Sequence, residues 1–368
     1  MSRATRSRST EGPLPSEALA AANPGAKLVA PLHPFETPAL AAYLRQHVDP
    51  RIGALAVEEY QGGQSNPTYR ITAGERRYVL RRKPPGKLLP SAHAVDREYR
   101  VMSALYGTDV PVAKTRALCE DDSVIGTAFY VMEYVEGRIL WDPTLPGMTR
   151  EERAAHYAEL NRVIAALHSV DYAALGLSDY GRVGHYIERQ IARWSKQYQT
   201  DGAEPIASMD RLIEWLPQHL PPEDETSIVH GDYRLDNVIF HLTEPRILAV
   251  LDWELSTLGN PVSDFAYQVM AWRLAPGQFR GLRGFDLASL GIPTEQEYVA
   301  AYCRRTGRKA IAHWEFYLIF NMFRIAAILH GVLARALQGN AASQNALEQG
   351  SRARLVADVA WDMAQRMA

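Results

Sequence analysis

Apolar residues recur along this chain with two different periods. Over 35–48 the pattern predicts an amphipathic helix, entered through Thr37 as N-cap with Pro38 at the first helical position. Short runs at 54–60, 68–72 and 78–83 read as strands, the first two flanking the segment Gln61-Gly62-Gly63-Gln64-Ser65-Asn66-Pro67. A helix follows over 96–105, and then an apolar strand from residue 129 that runs into Gly137. Beyond it the helical period takes over, at 150–170, 186–198, 209–216, 261–272, 294–305, 314–337 and 351–367. In the first of these, Leu160, Val163, Ile164 and Leu167 lie three and four residues apart, and His168 reads as a packed or capping side chain. Short apolar runs at 228–229, 238–240 and 247–251 interrupt the helices. Residues 1–31 are rich in Arg, Ser, Pro, Ala and Gly, poor in large apolar side chains, and read as a disordered leader.

Composition narrows the class. With 368 residues, two lobes or domains are expected, and 47% hydrophobic with 22% charged residues is an ordinary globular balance. A net charge of −2 argues for neither a nucleic-acid partner nor a membrane surface. The long apolar stretch at 314–337 contains Glu315, Asn321, Arg324, His330 and Arg335, which are costly at bilayer depth, so it reads as a buried core helix. Two cysteines, Cys119 and Cys303, cannot form a disulfide framework and point to a reducing, cytoplasmic compartment.

The densest chemistry lies in residues 228–240. His230-Gly231-Asp232 is followed, five residues after the Asp, by Asn237. That is the spacing of a kinase catalytic loop, in which the Asp accepts the proton of the attacking hydroxyl and the Asn holds Mg²⁺. The run 247–251 then ends in Asp252, a hard oxygen ligand at the mouth of the same cleft. The Gly-rich hairpin at 61–67 lets backbone N–H groups of Gly62 and Gly63 approach phosphates, with Ser65 and Asn66 as further donors.

His230 to Asn237, then Leu251-Asp252-Trp253-Glu254, then Gly259-Asn260-Pro261 leading to Asp264, together resemble the aminoglycoside phosphotransferase family of kinase-like enzymes over about residues 33–345. The runs 323–329 and 338–341 resemble more closely the kinase-like domains associated with acyl-CoA dehydrogenases. The resemblance implies an α+β, bilobal protein-kinase-like fold: a small antiparallel-sheet N-lobe over 32–135 and a larger, mostly helical C-lobe over 136–368. It implies ATP and Mg²⁺ as cofactors, Asp232 as catalytic base, and Asn237 and Asp252 as metal ligands. Asp264 and His230 would brace the loop. In the family's register Arg81 stands where kinases place a phosphate-binding Lys, and Lys83, two residues on, is the competing cation, with Glu98 as the ion-pair partner. Met132, Glu133 and Val135 would line the hinge, where adenine would bond backbone groups near Glu133 and Val135.

The residue after His230 is Gly rather than Arg, and eleven residues separate Asp252 from Asp264, too few for an activation loop. A small-molecule acceptor is therefore expected. From residue 265 onward there are twelve basic residues against seven acidic ones, which leans toward an anionic acceptor; the resemblance to the dehydrogenase-associated domains implies a carboxylate- or CoA-bearing one, such as a hydroxyacyl-CoA. The alternatives are an aminoglycoside or choline-like alcohol kinase and, from another class, a nucleotide-binding pseudokinase module. Oligomeric state is left open.

Overall fold

A computed structural model describes residues 28–32, 34–61, 66–86, 93–222, 225–338 and 346–367. Gly62, Gly63 and Ser65, and all of the leader before Leu28, lie outside the described residues.

The N-lobe contains strands β1 (Leu28–Val29), β2 (Ala56–Tyr60), β3 (Thr68–Ala73), β4 (Arg76–Arg82), β5 (Thr115–Cys119) and β6 (Phe129–Glu133), with helices α1 (Thr37–His47) and α2 (Val95–Leu105). The strands form one antiparallel sheet in the order β1-β2-β3-β4-β6-β5. Strand alternation sends neighbouring side chains to opposite faces. Tyr78 and Leu80 of β4, with Phe129 and Val131 of β6, pack with Leu40 and Leu44 of α1. Val79, Tyr130 and Met132 point the other way, toward Val101, Met102 and Leu105 of α2 and the second lobe.

Three expectations change here. Helix α1 is capped by Glu36, so Thr37 is its first residue and Pro38 its second. The sheet begins at Leu28–Val29, inside the stretch read as leader, because these residues pair with Tyr60 and Glu59. Strand β5 was not foreseen in the sequence.

The C-lobe holds helices α3 (Arg150–His168), α4 (Tyr186–Thr200) and α5 (Ala207–Trp215), strands β7 (Ser227–Val229), β8 (Val238–Phe240), β9 (Ile247–Val250) and β10 (Thr257–Gly259), then helices α6 (Pro261–Val269), α7 (Glu295–Arg305), α8 (Trp314–Leu337) and α9 (Ala346–Gln365). A capping box starts α3: the Thr149 hydroxyl accepts from the Glu152 N–H, and the Glu152 carboxylate accepts from the Thr149 N–H. Helix α8 is long and apolar enough to cross a membrane by composition, yet 83% of its most apolar window is buried inside the protein. It packs against α4, α6 and α9. Its buried Asn321 donates to the Ser263 carbonyl at 2.9 Å, which ties α8 to α6.

Two antiparallel pairs, β7 with β10 and β8 with β9, carry residues 230–237 between them. The chain leaving the sheet is fastened to this segment, since Arg138 and Phe240 exchange backbone hydrogen bonds at 2.8 Å in both directions. Gly137 permits that approach: a Cβ there would lie 2.3 Å from the Phe240 carbonyl oxygen.

Candidate active site

A cleft of about 750 Å³ opens between the sheet and the helical lobe. Asp232, Asn237, Asp252, Arg81, Asn66, Met132, Glu133 and Val135 line it together.

At the sheet end, Arg81 follows Val79 on the cleft-facing side of β4. Its Nε lies 3.2 Å from the Glu98 carboxylate, and its Nη2 donates to Asp252 Oδ1 at 2.7 Å and approaches Glu254 at 3.4 Å. Burial disfavours the charge on Arg81, but Glu98, Asp252 and Glu254 outweigh it and hold the guanidinium protonated. On Glu98 burial is the largest effect and lifts the carboxyl above the ordinary glutamate range, while Arg81, Tyr130 and Asn66 oppose it. The Tyr130 hydroxyl donates to Glu98 at 3.0 Å and the Asn66 amide at 2.8 Å. Asn66, expected as a phosphate donor, commits one of its two amide N–H groups to Glu98. Lys83 lies beyond the end of β4, where its N–H bonds the Ala128 carbonyl, and it is not among the residues lining the cleft. At the hinge the Glu133 N–H is committed to the Lys114 carbonyl, whereas the Val135 N–H makes no backbone bond among the described residues.

The segment 230–237 is held from three sides. His230 is fully buried; its Nε2 donates to the Leu251 carbonyl at 2.7 Å, and its Nδ1 accepts from the Asp232 N–H at 3.2 Å. Those two bonds require the tautomer with the proton on Nε2. Asp264 accepts from the backbone N–H of His230 at 2.7 Å and of Gly231 at 2.8 Å, and contacts His168 Nε2 at 3.1 Å. Burial alone would raise the Asp264 pKa, but the His168 and His230 contacts outweigh it and hold the carboxyl below the usual aspartate range. Gly231 has φ +84, and a Cβ there would meet the Leu255 carbonyl oxygen at 2.9 Å, so the turn demands glycine.

Asp232 lies at the centre of the cleft wall. Its Oδ1 accepts from the Tyr267 hydroxyl at 2.5 Å and its Oδ2 from the Asn237 amide at 2.8 Å, with Arg234 at 3.3 Å from the same Oδ2. Burial first, and then the Asp232 charge, push the Tyr267 phenol far above its ordinary range, so it stays a donor. Because Asn237 spends its N–H on Asp232, its side-chain carbonyl is the group it retains for a cation. Asp252 adds a carboxylate, one-third exposed, on a residue held in the left-handed conformation at φ 64. An amide oxygen and a carboxylate facing a cleft fit Mg²⁺, which takes few protein oxygens and completes its shell with phosphate and water. The left-handed backbone is a conformation L residues adopt at a cost, and here it turns that carboxylate toward the cleft.

Tyr267 and Arg324 were not assigned roles from sequence. Tyr267 stands three residues after Asp264 and therefore shares its face of α6, which an i, i+3 reading from Asp264 finds. Helix α6 starts at the loop through its N-cap, where the Asn260 side chain accepts from the Ser263 N–H at 2.8 Å and Pro261 follows. Arg324 comes from α8 and donates to the Gly231 carbonyl at 2.5 Å, across 93 residues of sequence.

Comparison with known proteins bears on the family and the fold. The family model for the phosphotransferase enzyme family matches residues 56–317. Acyl-CoA dehydrogenase family member 10 of Mus musculus is 49% identical over 85% of this chain and 30% of its own length. Family member 11 of Homo sapiens is 43% identical over 86% of this chain and 41% of its own length. The chain thus spans less than half of these curated relatives. A crystal structure of a Ralstonia eutropha JMP134 protein assigned as an aminoglycoside phosphotransferase is 57% identical, with a TM-score of 0.84, covering 90% of this chain and 99% of that one. The fold is also that of the hygromycin-bound aminoglycoside phosphotransferase APH(4)-Ia, at 16% identity and a TM-score of 0.58 over 88% of this chain and 98% of that one. With the kinase-like lobes and the family match in agreement, this chain belongs to the phosphotransferase enzyme family.

Proposed function

We propose that this protein transfers the γ-phosphoryl group of ATP, with Mg²⁺, to a hydroxyl of a small molecule, and that the acceptor is a hydroxyacyl-CoA or another anionic hydroxyl compound. The observation that carries the reading is the convergence of Asp232, Asn237 and Asp252 on one cleft, with Asp232 aimed by Tyr267 on one oxygen and Asn237 on the other.

Asp232 orients the acceptor hydroxyl and takes its proton as the oxygen bonds the γ-phosphorus; the bond to the β,γ-bridging oxygen breaks and ADP departs. Positioning and charge neutralisation lower the barrier more than covalent help does. Asn237 and Asp252 would hold the metal, which would neutralise phosphate charge, and Arg81 contributes a second cation at the same end. Val135 offers the free backbone N–H for adenine, with Met132 shaping the pocket wall.

Two observations support the anionic acceptor. Arg324 lines the cleft without a carboxylate partner among the described residues, where a polycationic aminoglycoside would call for carboxylates. Relatives named as acyl-CoA dehydrogenases also favour a CoA-bearing compound.

The test is ATP consumption with Mg²⁺ against hydroxyacyl-CoAs, other hydroxylated metabolites, choline-like alcohols and aminoglycosides. Transfer to hydroxyacyl-CoAs is expected; transfer to aminoglycosides alone refutes the acceptor assignment. Nucleotide binding without transfer to any acceptor moves the reading to a regulatory module.

A further inference from the structure

The cations that line the cleft differ in one respect. Arg81 is paired with Glu98 and Asp252, Arg234 with Asp232 and Asp236, Arg280 with Asp236, and Arg352 with Glu348. Arg324 has no carboxylate partner among the described residues, although it is 95% buried. Its Nη2 spends one bond on the Gly231 carbonyl, its guanidinium carbon stands 5.1 Å from the Tyr267 ring centroid, and its Nε has no hydrogen-bond partner. A buried charge without a counter-charge is expensive, and its retention inside a binding cleft marks a group reserved for a ligand.

Its position says which ligand. Tyr267 bonds Asp232 Oδ1, whereas Asn237 bonds Oδ2 and so marks the metal side of that carboxylate. Arg324, against Tyr267, is therefore on the acceptor side. From Arg324 the cleft wall continues along α8 as Ile325, Ile328, Leu329 and Val332, an i, i+3, i+4, i+7 stripe that is apolar throughout. From residue 324 to 332 the helix rises about 12 Å, enough to follow a medium-length carbon chain.

Resting on the phosphotransferase reading, we propose that Arg324 binds an acyl oxygen of the acceptor, that of a carboxylate or of a thioester carbonyl, while the carbon chain lies along the Ile325–Val332 stripe. The guanidinium offers its free N–H groups to that oxygen, and the acceptor is thereby registered with its hydroxyl at Asp232.

The full chain, without nucleotide, is titrated calorimetrically with decanoate, decanoyl-CoA, CoA and 1-decanol, alongside Arg324→Gln, whose amide still has a donor for the Gly231 carbonyl. At least one acyl compound is expected to bind the wild type ten-fold or more tighter than 1-decanol. Arg324→Gln should remove that advantage, by roughly ten- to a hundred-fold, and leave 1-decanol unchanged. Decanoate binding identifies a carboxylate; decanoyl-CoA binding that exceeds CoA, without decanoate binding, identifies the thioester carbonyl. Equal affinity for acyl compounds and 1-decanol, no acyl binding, or acyl binding untouched by the substitution overturns the proposal. So does an Arg324→Gln that lowers kcat alone, which would give the cation to the transferred phosphoryl group. Should Arg324→Gln fail to fold, the wild-type comparison still decides, and Arg324→Lys must keep part of the acyl preference. The ligands are read by binding, so acyl binding through Arg324 without phosphate transfer leaves this inference standing while the proposed reaction fails.

Discussion

The two ends of the cleft treat charge in opposite ways. At the sheet end Arg81 is shared among Glu98, Asp252 and Glu254, and Glu98 is further held by Asn66 and Tyr130. At the helical end Arg324 has a carbonyl and an aromatic face but, among the described residues, no carboxylate. A shared cation can trade one partner for another, so the sheet end suits a ligand that brings its own charges of both signs, phosphates with a metal. An unpaired buried cation suits a ligand that brings negative charge or a strong acceptor alone. Asp232 lies between them with one oxygen turned to each side.

The sharpest break of this comparison is at its centre. Asp232→Ala should lower turnover on the order of 10²- to 10⁴-fold while nucleotide affinity is retained, because the sheet-end contacts do not involve Asp232. Measuring kcat beside equilibrium binding of a nucleotide analogue checks it. A parallel loss of nucleotide affinity would mean that the two ends are not separable.

Asp264 is the contrasting carboxylate, since its contacts are with the protein rather than with the cleft. Asp264→Ala strands two buried backbone N–H groups and should cost about 3–5 kcal/mol of stability, read by chemical denaturation. The pH dependence follows in sign. Because the folded-state pKa of Asp264 is held below the ordinary value, its stabilisation is complete above the unfolded value of about 3.9 and is lost only as pH falls through the lower folded value. The wild type should therefore lose this contribution in acid, and the variant's stability deficit should shrink as the pH is lowered below about 3.9.

Tyr267→Phe should act more mildly. It removes a donor to a charged carboxylate, and kcat is expected to fall about ten-fold with KM for ATP unchanged. An equal rise in KM for ATP would place Tyr267 on the nucleotide side and erase the distinction between the ends.

Which of these residues can be read from sequence depends on the distance along the chain over which they act. His230, Asp232 and Asn237 lie within one turn-bounded segment, so their spacing alone carries the geometry. Asp252 ends an apolar strand and is found the same way. Helix α8 is legible because its apolar character persists over 24 residues. Tyr267 and Arg324 meet the loop across 35 and 93 residues; an i, i+3 step from Asp264 reaches Tyr267, but no local period marks Arg324. The same limit hid β5, a five-residue strand containing Arg116, whose place in the sheet comes from pairing with β6 rather than from its own alternation. Thr37 was misplaced by one position because Glu36, a weaker capping type, holds the extended backbone at the N-cap without a side-chain bond.

The smallest expected effect tests the sheet end most cleanly. Arg81 and Lys83 are two residues apart, and alternation alone would give both to the same face. Strand β4 stops at Arg82, however, and only Arg81 is among the cleft-lining residues and paired with Glu98 and Asp252. Arg81→Gln should therefore raise KM for ATP several-fold and leave Glu98 buried without its cation, which a lowered melting temperature would register. Lys83→Gln, removing one charge from the same strand end, should change KM for ATP by less than about two-fold, as expected for a solvated cation outside the site. Equal effects from the two substitutions would mean that the strand end, rather than the ion-pair network on its inner face, receives the phosphates.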